Sequence, residues 1–186
     1  MNNKAFTLVE VLVGLFLAVV ASVYAAKTIT GTNKVVAAGR ETFIATNLAH
    51  EGIDLTRAMR DNTWFIGKKS ESWLSSSGIC PDGEENNSFA IDATVVRNFI
   101  DKGDKVLGQE NSALYIQTES PNLHLWTHTA QSGNKSITTA YKRVMDAECG
   151  ETDVVTITST VSWAGQGGTE KKVSIKEKLY NWWLEK

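Results

Sequence analysis

The sequence predicts an α+β protein in which a long N-terminal helix packs on a C-terminal antiparallel β-sheet head. Three observations carry this. Residues 6–26 are apolar apart from one charge, Glu10, and the chain then turns amphipathic with no proline before Pro81. The last third alternates apolar and polar residues with the period of a strand, on either side of a glycine-rich turn at 165–168.

The first half of the helix follows from its evenness. Phe6 to Ala26 is apolar on every side of a helix, which requires lipid or complete burial in protein. As a helix it is about 32 Å long, close to the hydrocarbon thickness of a bilayer, so it reads as a single transmembrane span. Lys4 and the amino terminus hold this end on the cytoplasmic side, with the downstream domain facing outward, although Lys27 and Lys34 beyond the span reduce that asymmetry. A secretory signal peptide is the competing explanation, because Val23-Tyr24-Ala25 has the small-residue character of a cleavage site and Lys4 fits a basic leader. Against it, the run is longer than a usual signal core and contains Glu10.

Glu10 is the informative residue. A carboxylate inside an apolar helix is costly and is found where a partner group satisfies it, which makes it a functional residue by default. The plain alternative is that Glu10, less than two turns inside the span, reaches the cytoplasmic interface and has no further role.

The run Ala5-Phe6-Thr7-Leu8-Val9-Glu10 resembles the processing and methylation motif of type IV prepilins and type II secretion pseudopilins. In that family a small residue precedes the cut, phenylalanine follows it, and glutamate is the fifth mature residue. The resemblance implies that a prepilin peptidase removes 1–5 as a leader and that the new amine on Phe6 is N-methylated. It also implies that Glu10 pairs with the Phe6 amine of a neighbouring subunit during assembly. Two charges in a low-dielectric core would then compensate one another, where a lone ion would be expensive. Ala5 departs from the glycine more common in the family, which bears on cleavage efficiency. The implied organisation is a leader at 1–5, a transmembrane and filament-core helix at 6–26, an amphipathic continuation at 27–66 and a globular β-rich head at 67–186. Implied partners are other pilin or pseudopilin subunits, the prepilin peptidase, an inner-membrane assembly platform and, before assembly, membrane lipid.

Beyond Ala26 the helix is expected to run to about residue 62. Ile44, Leu48, Ile53, Leu55 and Met59 supply an apolar face, and Arg40, Glu41, Glu51, Asp54 and Arg57 a polar one. Gly31, Gly39 and Gly52 each lower helix stability by up to about 1 kcal/mol and are candidate bending points. Trp64-Phe65-Ile66 is expected to anchor in the core after the polar break at Asp61-Asn62.

In the head, 68–88 reads as a surface loop with turn chemistry at Pro81-Asp82-Gly83. Strands are expected at 89–97, 113–118 and 122–128, with a turn at Pro121-Asn122. The clearest strand is 154–163, where Val155, Ile157, Val161 and Trp163 share a face; after the turn, Val173, Ile175 and Leu179 mark the inward side of its partner. The Val-Ser-Trp163 strand end before a glycine-rich turn resembles the C-terminal part of minor pilins and pseudopilins, which favours a low-abundance subunit over the major one.

Cys80 and Cys149 stand in no CxxC or Cys/His spacing, so a zinc or thioredoxin-type motif has no support. They can form a disulfide if the head lies outside the cytoplasm; in a reducing compartment they would be two free thiols. A net charge of −2, with lysine pairs only at Lys68-Lys69 and Lys171-Lys172, argues against direct nucleic-acid binding. His124 and His128 can share a strand face, but no further ligand can be named for a metal. Asp101-Lys-Gly-Asp104 lacks the alternating acids of a calcium loop and reads as a turn. No GxSxG elbow, HExxH or phosphate-binding glycine loop occurs, so neither catalysis nor a cofactor is expected. The reading is a structural subunit, with a signal-anchored or secreted binding protein that does not polymerise as its rival.

Overall fold

The structure is a computed structural model that describes residues 7–65, 73–81, 84–102, 105–118, 125–130, 135–149, 154–165 and 167–180. The chain divides into two compact units, one ending at Glu41 and the other beginning at Thr42. Helix α1, Leu8–Phe65, supplies all the regular structure described in the first unit and the first element of the second.

In the second unit, α1 is followed by α2 (Trp73–Ser77), β1 (Asn86–Ala90), α3 (Ala93–Lys102) and β2 (Leu107–Gly108). A 3-10 turn at Gln109–Asn111 leads to β3 (Ala113–Gln117) and β4 (Trp126–Thr127). Then come the long strands β5 (Ser136–Glu148), β6 (Val154–Ala164) and β7 (Glu170–Tyr180). All the strand pairs are antiparallel, and β5 is the hub. One of its edges pairs with β6, which in turn pairs with β7; the other pairs with β3 through its first half and with β1 through its last residues.

The helix packs on this sheet through the face that its sequence supplies. Ala45, Leu48, Ala49, Ile53 and Met59 of α1 are buried, as are Val155, Ile157, Val161 and Trp163 of β6. Leu48 joins Leu114, Val161 and Trp163 in one cluster, and Ile53 and Met59 join Phe89, Met145, Val155, Ile157 and Leu179 in another. Burying each such side chain contributes roughly 1.5–3 kcal/mol, which fixes this half of the helix on the sheet. Gly52 lies where the helix meets the sheet. A Cβ at this position would stand 2.7 Å from Met145 Sδ and 2.8 Å from Ser159 Oγ, so glycine permits close approach of helix and sheet.

Three expectations are corrected. Residues 91–97 do not extend a strand: β1 stops at Ala90, and Asp92 Oδ1 accepts the Thr94 and Val95 N–H groups, capping α3 at 2.9 and 3.0 Å. The segment 68–88 is not a surface loop throughout, because Leu74, Ser77, Ile79 and Cys80 are buried. Phe65 does not enter the core; it is 95% exposed at the end of α1, while Met59 and Thr63 are the buried residues of the last turns. Of the strand expected at 122–128, Trp126–Thr127 is a strand, and residues 122–124 with the turn at Pro121-Asn122 lie outside the described residues. The central strand β5 was not anticipated at all.

Candidate functional site in the N-terminal helix

Thr7 opens α1: its carbonyl accepts the Glu10 N–H at 3.0 Å, and its hydroxyl lies 3.4 Å from the same nitrogen. Glu10 therefore stands in the first helical turn, where a carboxylate also complements the positive end of the helix dipole. Ala5 and Phe6, the residues expected to flank a cleavage site, lie outside the described residues.

The residues after Glu10 are apolar and uncovered. Leu8, Val9, Val11, Leu12, Val13, Leu15, Phe16, Leu17 and Val19 all project outward, with Leu8 77% and Phe16 66% exposed. At roughly 2 kcal/mol for each such side chain, leaving them in water would cost on the order of 20 kcal/mol, more than the whole stability of a typical domain. This segment must be covered by lipid or protein. Among the described residues, α1 is the one helix long and apolar enough to cross a membrane.

The segment has two unlike sides. Glu10, Gly14, Ala18, Ala21 and Ala25 recur at intervals of three and four and so share one side, where a second helix could approach closely. Val9, Val13, Phe16, Val20 and Val23 recur in the same way on the opposite side. Polar side chains here satisfy themselves within the helix: Ser22 donates to the Ala18 carbonyl at 2.8 Å, and Thr28, Thr30 and Thr32 donate to Tyr24, Ala26 and Thr28.

In the head, Cys80 and Cys149 are bonded, joining the segment after α2 to the end of β5. A buried polar network that sequence reasoning missed lies on the inner side of the sheet. Arg143 of β5 is fully buried; its Nη1 donates to the Leu48 carbonyl at 3.0 Å and to Glu51 at 3.2 Å, and its Nη2 to the Ile91 carbonyl at 2.6 Å. Desolvation lowers its pKa against the pull of Glu51 and Asp92. Asp92 Oδ2 accepts the His128 N–H at 2.7 Å, and His128 Nδ1 donates to the Ala113 carbonyl at 3.2 Å. Burial, and then the charge of Arg143, push His128 down to about 4, so it is neutral near pH 7. Nearer the surface, Arg57 of α1 binds Glu177 of β7 and Asp54, and its pKa is raised chiefly by the Glu177 hydrogen bond. The two terminal nitrogens of Arg143 end on main-chain carbonyls and one carboxylate, an arrangement that clasps elements together, while its buried Nε has no partner among the described residues.

Of the histidines considered for a metal, His124 lies outside the described residues and His128 is enclosed in this network. No group of three or more His, Cys, Asp or Glu side chains able to hold a metal occurs among the described residues. Asp101 and Lys102 end α3, and Gly103 and Asp104 lie outside the described residues. Compared with protein-family models, curated proteins and solved structures, the chain matches none.

Proposed function

We propose that this protein is a structural subunit, of the minor kind, of a type IV pilus or a type II secretion-like pseudopilus. A prepilin peptidase cuts after Ala5, the amine of Phe6 is methylated, and the chain waits in the cytoplasmic membrane as a single-pass protein with its head outside. It then leaves the lipid by packing α1 among the equivalent helices of neighbouring subunits on an inner-membrane assembly platform. It is not an enzyme, and its partners are other pilin or pseudopilin subunits.

One observation carries this reading. The same continuous helix is uncovered and apolar over its first turns, with one acid at its start, and packed on an antiparallel sheet over its last. A membrane anchor alone would account for the apolar residues. It has no use for Glu10 at the head of a file of small residues, whereas a helix that must lie against others needs close approach along one side and an ionic partner for its acid. In such an assembly each contact is heterologous, one surface repeatedly meeting a different surface of the next subunit. A disulfide in the head suits an oxidising compartment outside the cytoplasm.

The test is incorporation of Glu10→Ala. Sheared filaments from cells making this variant should lack the subunit, while its membrane fraction holds a processed chain in normal amount. Filaments containing the variant at the wild-type level would remove the role assigned to the carboxylate.

A further inference from the structure

The side of α1 opposite Glu10 ends in a feature that helix packing does not explain. Lys27 is the first residue beyond the apolar run, and Lys34 follows two turns later on the same side, about 10 Å further along the axis. Together with Val23, Ala26, Thr30 and Gly31 they line an open notch, and beyond the helix's own backbone nothing stands within 4 Å of the place where a Gly31 Cβ would be. The Thr30 hydroxyl donates to the Ala26 carbonyl, which leaves its lone pairs facing outward and the lysines as the notch's cationic donors. Among the described residues neither lysine has an ion-pair partner. On the same side of the helix, Glu41 stands a further two turns beyond Lys34.

We infer that this notch binds the headgroup of an anionic phospholipid, with its phosphate between Lys27 and Lys34. One acyl chain lies back along Val23, Val20, Phe16, Val13 and Val9. The inference rests on the membrane reading given above and deepens it by naming the lipid. Three features select this occupant. The notch opens where the apolar run ends, at headgroup level. The two ammonium groups complement a phosphodiester. The bulky file that leads to the notch spans about 27 Å from Val9 to Lys27, enough to lie along a full leaflet and more. The small-residue side remains available to other helices while this side faces lipid, so one helix can hold its lipid and meet its neighbours at once. An acidic protein segment would need the lysines but not the apolar file beneath them.

The experiment uses the full chain reconstituted into vesicles of phosphatidylcholine alone and of phosphatidylcholine with phosphatidylglycerol. Flotation reports membrane insertion, and native mass spectrometry after gentle detergent release counts the lipids retained. Wild-type protein should retain phosphatidylglycerol well above its share in the vesicle. Lys27→Gln and Lys34→Gln should each reduce that excess about fivefold, the effect expected of one lysine near an anionic surface. Gly31→Leu fills the notch without changing charge, and its Cβ meets no other side chain within 4 Å; it should lower retention while leaving flotation unchanged. Retention that follows the bulk lipid ratio, or that is indifferent to all three substitutions, would overturn the lipid site alone. A wild-type chain that floats with neither vesicle would overturn the membrane reading as well.

Discussion

Arg143, fully buried in the central strand, reaches the carboxylate of Glu51 on α1 across 3.2 Å. The same guanidinium holds the carbonyls of Leu48 and Ile91, so one side chain ties the helix, the sheet and the approach to α3 together. Removing one partner of a buried ion pair leaves an uncompensated charge, which costs most when the charge left behind is the enclosed Arg143 and less when it is Glu51, which water can reach. Glu51→Ala should therefore lower the unfolding free energy by about 2–3 kcal/mol in denaturant titrations, somewhat less than a fully enclosed pair because Glu51 is partly exposed. Arg143→Met should cost less than Arg143→Ala, and equal losses would show that the charge itself carries the clasp.

Two glycines on one helix should respond differently. Gly52→Ala gains up to about 1 kcal/mol of helix propensity but drives a Cβ into Met145 and Ser159, and overpacking of that kind costs about 1–3 kcal/mol. Its melting temperature should fall. Beyond the helix's own backbone nothing stands within 4 Å of a Cβ at Gly14, so Gly14→Leu, which also gains up to about 1 kcal/mol of helix propensity, should not lower the melting temperature of the isolated chain. If Gly14 belongs to the side that meets neighbouring helices, that variant should still be depleted from filaments.

The buried histidine gives the head a pH dependence of known sign. An unfolded chain binds a proton at His128 below about pH 6.5, whereas the folded chain does so only near pH 4. Between these values the unfolded state holds more protons, so stability is full above about 6.5 and is lost as the pH falls toward 4. The loss from this group is on the order of 3 kcal/mol. Urea midpoints measured from pH 7 to pH 4 should fall, and the slope should flatten in His128→Gln.

Much of the architecture was legible because its signals are local. The apolar run with its single charge, the amphipathic spacing of Leu48, Ile53 and Met59, and the alternation from Val155 to Trp163 each point to one element. Strand β5 escaped notice because its inward positions include Arg143 beside Met145 and Ala147, and an arginine at an inward position breaks the apolar pattern. Its partners Leu48, Glu51 and Ile91 lie far away in sequence, where no spacing could reveal them. Helix α3 had a readable signal, Asp92 as a cap before Val95, Val96 and Phe99, but the apolar residues around it look equally like a strand. Glu10 stood out in the sequence for the opposite reason, being the only charge in an apolar run.

The Cys80–Cys149 bond closes a loop of 69 residues in sequence separation, which in the chain-entropy model contributes about 4 kcal/mol. Cys80→Ser with Cys149→Ser should lower the melting temperature by on the order of 10 °C. Addition of a reductant should lower that of the wild type to match and leave the double variant unaffected.

A filament subunit and a secreted protein differ in where the mature chain begins and in the fate of the helix that starts there. Intact-mass and N-terminal peptide spectra of the protein recovered from cells decide it. The account predicts a chain that starts at Phe6 with one added methyl group on its amine and retains residues 6–26. A mature chain that starts near Ala26, without the apolar segment, would contradict it.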